Sequence, residues 1–317
     1  MAQLPFVKVQ GLGNDFLVVD LRPGKPAHEL AEMVTRPAIV RALCDRNFGV
    51  GGDGVLAILP GIQGDARMRV LNADGSEAEM CGNGIRCVAK VLFETDPTLR
   101  REILRIDTGA GLLACKINSQ DHRATSVTVD MGVPQLTPRQ IPVASDAPRL
   151  VRAPLRTRER EFSFTAVSMG NPHAVIFFDV SAAKLRELAA SLGPGIEHDP
   201  LFPHRMNVEF ATVRTGAGGQ PEIDLVVWER GCGITLACGT GACATVVAAC
   251  LEGRVETDRE IPVHLPGGTL FITVKSAGSD GDGPNYAGVV MRGPATIVFE
   301  ASIDPTAIRL PTSPSVD

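Results

Sequence analysis

A chain of 317 residues, 44% hydrophobic and 21% charged, has the composition of a soluble globular protein and the length of two ordinary domains. A formal net charge of -5 gives no electrostatic reason to expect nucleic acid or an anionic membrane as partner, and no apolar run reaches the ~18 residues of a membrane-spanning helix. The first sixteen residues lack a basic leader followed by an apolar run, so a cytoplasmic setting is expected, with the eight cysteines reduced and open to catalysis, metal binding or packing.

Taken in chain order, Phe16 to Val19 is the first apolar run that reads as a buried strand, and Ala27 to Cys44 has the apolar spacing of a helix. Gly49 to Gly54 fits Gly-x-Gly-x-x-Gly, but it follows a helix and opens a strand. That is the reverse of a dinucleotide site, so a turn with close backbone packing is the better reading. Val55 to Leu59 is the next strand, and Gly82 to Phe93 reads as a helix that begins immediately after Cys81. Val127 to Val129 and Ala174 to Phe178 are further strands. Between Pro142 and Glu161 the chain turns polar, with Arg149, Arg152, Arg156, Arg158 and Arg160 close together, and reads as a solvated surface segment. Ser181 to Leu192 is a helix with Ser181 as N-cap and Gly193 just past its end. Gly239 to Leu251 is a helix that begins after Cys238, with Gly253 as its stop. The tail from Leu310, with Pro311, Ser313, Pro314 and Ser315, is expected to be disordered.

An internal repeat organises these elements. Gly13-Asn14 matches Gly170-Asn171, and Cys81-Gly82-Asn83-Gly84 matches Cys238-Gly239-Thr240-Gly241; 171 minus 14 and 238 minus 81 both give 157. An apolar strand follows each Gly-Asn, and a helix follows each Cys-Gly-polar-Gly. Two homologous α/β halves facing each other are expected, each with one copy of the constellation.

The constellation suits proton transfer. A cysteine at a helix N-terminus lies beside unsatisfied N–H groups and the positive end of the helix dipole, which favours thiolate and lowers the thiol pKa from about 8.5. Gly82, Gly84, Gly239 and Gly241, lacking Cβ atoms, let a ligand approach the backbone, whose N–H groups can hold a carboxylate. Inverting a stereocentre requires proton removal on one face and delivery on the other, and a thiolate opposite a thiol does both.

The segment from Asn72 through Cys81 to Cys87 and the segment from Glu229 through Cys238 to Gly241 resemble the two signatures of diaminopimelate epimerases, and Gly11-Leu-Gly-Asn14-Asp-Phe, Met169-Gly-Asn171-Pro-His and Asn207 in Arg-Met-Asn-Val-Glu-Phe add to the match. The resemblance implies epimerisation of LL-2,6-diaminopimelate to the meso form without pyridoxal phosphate or metal, in lysine and peptidoglycan precursor synthesis. It implies an α/β (α+β) fold of two pseudo-symmetric lobes, each a β-sheet wrapped around a central helix. The lobes would be 1–131, with 294–309 returning to it, and 132–293, leaving 310–317 as the tail. Cys81 and Cys238 would be the acid/base pair, and Gly82, Asn83, Gly239 and Thr240 would cradle the reacting carboxylate. Asn14, Asn72, Asn171, Asn207, Glu229 and Arg230 would hold the substrate, the last two engaging the charges of its distal amino-acid group. One departure is Gly54, where some members carry glutamine.

Among the other cysteines, Cys44, Cys87, Cys115, Cys243 and Cys250 sit in apolar contexts and read as core, while Cys232 lies within the second signature loop. No Cys-x-x-Cys or zinc-like spacing occurs, so no metal and no cofactor are expected. The partner is a small amino acid, and a homodimer is compatible with the sequence. Rival readings are a proline or hydroxyproline racemase, a phenazine-type isomerase, and a non-catalytic amino-acid binding protein on the same fold. Asn83 and the Glu229-Arg230 pair favour an acyclic substrate with a second charged end over the first of these. The two cysteines argue against the others.

Overall fold

A computed structural model describes residues 3–156, 161–280 and 283–308. The chain divides into two compact units, Met1–Val129 with Pro294–Asp317, and Asp130–Gly293.

In the first unit the strands are β1 (Leu4–Gly11), β2 (Asn14–Asp20), β3 (Gly54–Leu59), β4 (Ala66–Asn72), β5 (Glu77–Ala78), β6 (Ile103–Thr108), β7 (Gly111–Gln120) and β8 (Arg123–Asp130). Its helices are α1 (Ala31–Val34), α2 (Pro37–Cys44) and α3 (Gly82–Thr95). The second unit comprises β9 (Ala153–Arg156), β10 (Glu161–Ser168), β11 (Pro172–Phe177), α4 (Ala182–Glu197), β12 (Asn207–Thr215), β13 (Pro221–Glu229), β14 (Gly233–Ile234), α5 (Gly239–Leu251), β15 (Glu260–Leu265), β16 (Gly268–Asp280) and β17 (Gly283–Gly293). Strand β18 (Thr296–Ile303) belongs to the first unit, where it pairs antiparallel with β1.

The two sheets repeat one another. In each, an antiparallel pair (β1–β2, β10–β11) is followed by a parallel step (β2–β3, β11–β12), an antiparallel step (β3–β4, β12–β13), a second parallel step (β4–β6, β13–β15) and antiparallel returns (β6–β7 and β7–β8, β15–β16 and β16–β17). Strands β1 and β10, and β6 and β15, begin and end 157 residues apart. The spacing of the two short motifs therefore extends to whole strands.

Each sheet curls around one helix. In the first unit α3 packs against β1, β2, β3, β4, β6, β7 and β18, and Gly82 through Phe93 are all buried. In the second, α5 packs against β10, β11, β12, β16 and β17. Its sequence, Gly-Thr-Gly-Ala-Cys-Ala-Thr-Val-Val-Ala-Ala-Cys-Leu, is made almost wholly of small or β-branched residues and has no polar face, as a helix enclosed on all sides requires. Outer helices cover the opposite faces: Val34, Val40 and Leu43 pack with Leu4, Leu17 and Val55, and Leu185, Ala189 and Ile196 pack with Phe164, Val208 and Phe210. The fold is mixed α/β, dominated by sheet.

Three expectations need correction. The helix read over Ala27 to Cys44 is a 3-10 turn at His28–Leu30 followed by α1 and α2, because Pro37 opens α2 and holds Arg36 extended (ψ 130°). Helix α4 does not stop at Leu192 but runs through Gly193-Pro194-Gly195 to Glu197. Gly193 is a packing glycine: a Cβ there would lie 2.5 Å from the Trp228 ring, and Trp228 Nε1 donates to the buried Glu197 Oε2 at 2.8 Å. The Arg149 to Arg160 segment is not simply solvated surface. Strand β9 pairs with β10, Leu150 and Leu155 are buried, Arg149 donates to Pro284 O and Asn285 Oδ1, and Arg152 donates to Glu252 O. Arg158, Arg160 and the tail from Leu310 lie outside the described residues.

The two glycines of this turn should respond oppositely to alanine. Gly193→Ala should cost about 1–3 kcal/mol through overpacking against Trp228, whereas Gly195→Ala, with nothing within 4 Å, should gain roughly 0.5–1 kcal/mol of helix stability. Denaturant midpoints of the two variants check this.

Candidate active site

Cys81 is the N-cap of α3 in extended conformation (φ -139°, ψ 115°), and Gly84 N–H donates to its Sγ at 3.3 Å. Cys238 caps α5 the same way (φ -124°, ψ 110°), with Gly241 N–H to Sγ also at 3.3 Å. In each helix the third amide, which has no intrahelical acceptor, is turned onto sulfur. Glycine is needed at that amide for packing as well as for ligand approach. A Cβ on Gly84 would sit 3.0 Å from Leu56 Cδ2, and one on Gly241 would sit 3.0 Å from Glu209 Oε1. Gly82, Asn83, Gly239 and Thr240 supply the remaining first-turn N–H groups, the natural place for a carboxylate.

In the first unit Asn14, Asn83 and Cys81 are gathered by the β1–β2 turn and the start of α3. Asn83 Nδ2 donates to Asn14 Oδ1 at 3.2 Å, and Cys81 Sγ lies 4.0 Å from the same oxygen. Asn14 Nδ2 donates to Asp53 Oδ2 at 2.7 Å, and Arg46 bridges Asp53 and Asp15 at 2.8 and 2.6 Å. Arg86, fully buried, donates to Asn83 Oδ1 and to Gly82 O, each at 2.9 Å, so the polar start of α3 is held from beneath. Asn72 ends β4 opposite Gly54 and donates to Ser76 Oγ at 3.0 Å. At Gly54 a Cβ would meet Leu71 O at 2.6 Å, so this backbone admits no side chain at that position.

In the second unit Asn171 immediately precedes β11, Asn207 opens β12, Glu229 ends β13 with Arg230 just after it, and Cys238 and Thr240 lie at the start of α5. Asn207 Nδ2 donates to Pro172 O at 3.0 Å and its Oδ1 accepts from Arg230 N–H at 2.8 Å, which ties the ends of three strands together. Thr235 Oγ1 donates to Glu229 Oε1 at 2.5 Å, and Arg230 Nη1 donates to His204 O at 3.1 Å. Thr240 Oγ1 is 3.5 Å from Cys238 Sγ.

The expectation of a lowered thiol pKa does not hold for Cys238. Burial pushes it well above the ordinary thiol value, and the nearby Glu229 carboxylate pushes the same way; the bonds from Thr240 and Gly241 oppose this without overcoming it. Burial likewise raises Cys44, Cys87, Cys115 and Cys250 to about 12, in keeping with packing roles, while Cys232 is exposed between β13 and β14. Among the described residues no cluster of three or more His, Cys, Asp or Glu could hold a metal, and no helix is long and apolar enough to cross a membrane.

Two polar residues beside the second cysteine loop were not among the candidates, His173 and Glu209, both fully buried and 2.6 Å apart. A glutamate set between Val208 and Phe210 in an apolar run was the signal available for the second of them.

Comparisons with known proteins agree with one another. The family described as Diaminopimelate epimerase matches residues 6–137 and 165–298. A diaminopimelate epimerase of Desulfitobacterium hafniense is 46% identical over 297 residues, covering 94% of this chain and 97% of the relative, and one of Synechococcus sp. (strain JA-3-3Ab) is 46% identical over 305 residues, covering 95% and 98%. Among solved structures, a hydroxyproline epimerase from Agrobacterium vitis shares the fold with TM-score 0.67 at 15% identity, covering 97% of this chain and 94% of that one. A PhzF-family phenazine biosynthesis protein from Bacillus anthracis does so with TM-score 0.65 at 16% identity, covering 96% and 100%. This chain belongs to the diaminopimelate epimerase family.

Proposed function

We propose that the protein interconverts LL-2,6-diaminopimelate and its meso form, with Cys81 and Cys238 as the two acid/base groups and no need of pyridoxal phosphate, in lysine and peptidoglycan precursor synthesis. The observation that carries this reading is the duplicated cap: one cysteine per repeat, each at the mouth of a glycine-opened helix, each with its sulfur on the third amide. A cytoplasmic setting goes with it, supported by the cysteine usage. The substrate is a small amino acid.

The chemistry follows from the caps. A thiolate removes the α-proton from one face while a thiol delivers a proton to the other, and the roles exchange in the reverse direction. The carbanion forming beside the carboxylate is the difficult species. First-turn amides of α3 and α5 are donors that gain most from charge developing there, because they are already oriented and need no reorganisation. Glu229 and Arg230 suit the ammonium and carboxylate of a distal amino-acid group. In the ligand-free protein Cys238, with its raised pKa, is held as a thiol and can begin as the acid.

Replacing Cys81 or Cys238 by alanine should abolish epimerisation with little change in thermal stability. Purified wild type should wash solvent deuterium into LL-diaminopimelate, and full activity in either variant would end the two-base scheme. Arg230→Met should lower kcat/KM for diaminopimelate roughly 10- to 100-fold by removing charge-assisted hydrogen bonds, and wild type should reject lysine and proline. A preference for proline would end the diaminopimelate assignment while sparing the two-thiol scheme.

Cys238 labelling gives a pH test. A raised thiol pKa means less thiolate at any pH near neutrality, so at pH 8 Cys238 should alkylate far more slowly than exposed Cys232. Its rate should climb about tenfold per pH unit and still be rising beyond pH 9. Mass-spectrometric peptide mapping over a pH series reads this, and Glu229→Gln should move the Cys238 curve to lower pH.

A further inference from the structure

His173 on β11 has both ring nitrogens facing oxygen: Nδ1 is 2.6 Å from Glu209 Oε1, and Nε2 is 2.9 Å from Asn171 Oδ1. An amide oxygen only accepts, so Nε2 carries a hydrogen. The short contact on the other side then needs one proton between Nδ1 and the carboxyl group. The pair together holds two protons and no net charge, either as imidazole with a carboxylic acid or as imidazolium with carboxylate. Both side chains are 0% exposed, and Glu209 Oε2 has no hydrogen-bond partner among the described residues. Losing the shared proton would leave an uncompensated buried charge, which is strongly unfavourable.

The repeat shows that this pair is an addition to one half. Leu56 and Glu209 are each the third residue of their strands, β3 and β12, and each is what a Cβ on the cap glycine of the adjacent helix would meet. Phe16 stands opposite Gly54 across β2–β3 as His173 stands opposite Asn207 across β11–β12. In one half the layer beneath the cysteine cap is Leu56 and Phe16; in the other it is Glu209 and His173.

The consequence falls on the two equivalent asparagines. Asn14 has its Nδ2 engaged by Asp53 and turns Oδ1 toward Asn83 and Cys81, so it presents an acceptor. Asn171 has its Oδ1 engaged by His173 Nε2 and has Nδ2 to offer, so it presents a donor. We infer that Glu209 is a positioning residue that, through the proton it shares with His173, fixes Asn171 as a hydrogen-bond donor to an anionic oxygen of the substrate, opposite in polarity to Asn14. The ligand of Asn171 rests on the epimerase reading; the protonation state of the pair does not.

The charged or titratable groups that bear on the pair are Glu229 on β13 and Cys238 at the start of α5. The first test needs no variant of the pair and no substrate. In the full-length protein labelled with 15N-histidine, the His173 signals, assigned by their loss in His173→Gln, should show a protonated Nε2. An unprotonated Nε2 overturns the inference. The second test is kinetic. Glu209→Gln can donate its amide to Nδ1 and keep the Nε2–H tautomer, so KM for diaminopimelate should stay within about threefold of wild type, whereas Glu209→Met should raise KM about tenfold or more with a smaller change in kcat. Equal losses in Gln and Met variants, or none in Met, overturn it. If Glu209→Met does not fold, the wild-type spectrum and the Gln variant decide. A wild type inactive on diaminopimelate removes the epimerase reading alone, since the spectrum is read without substrate.

Discussion

A sulfur that accepts the third amide of a helix is the constraint around which each half of this protein is arranged. For Gly84 N–H to reach Cys81, and Gly241 N–H to reach Cys238, the cysteine must be extended while the next residue is already helical, and the helix start must lie close over a strand. Closeness favours glycine at the third position, because a Cβ there would press on Leu56 in one half and Glu209 in the other, each of which would have to give way by a few tenths of an ångström. The glycine pattern that reads as an invitation to a ligand is therefore also a packing requirement. The first-turn amides left over are what a carboxylate can use.

Burial is the second determinant, and it works against the helix dipole. An N-terminal position favours thiolate by about 1 kcal/mol, whereas removing a charge from water costs more than that interaction returns. At Cys238 burial prevails and the thiol stays protonated. A two-base scheme needs one group that begins protonated, and Cys238 meets that condition. The same environment excludes water from the amides that meet developing charge, which strengthens them.

Duplication made the two halves alike in topology, and buried polar residues make them unlike in chemistry. In one half a carboxylate, Asp53, reaches Asn14 from a partly exposed cluster with Arg46. In the other, Asn171 is reached from the interior by an imidazole backed by Glu209. The layer under the cysteine caps shows the difference, with Leu56 and Phe16 in one half and Glu209 and His173 in the other.

Local signals determined a good deal by themselves. The offset of 157 between Cys81 and Cys238 is a property of the sequence, and so are the starts of α3 and α5, since a cap and its glycines lie within four residues of one another. The strands at Asn14–Asp20 and Gly54–Leu59 show as apolar runs for the same reason. Pro37 was equally visible, and its effect on Arg36 breaks a helix that apolar spacing alone would continue. What needed the tertiary structure were contacts between distant residues. Gly193-Pro194-Gly195 has the composition of a helix stop, yet the helix continues because Trp228, far along the chain, fills the space a side chain would take. Glu209 reads as one acid in an apolar strand until β11 and β12 lie parallel and bring His173 within 2.6 Å. Composition could not foretell the protonation of Cys238 either, because desolvation depends on everything packed around the sulfur, while the helix dipole that opposes it is written in the thirteen residues that follow.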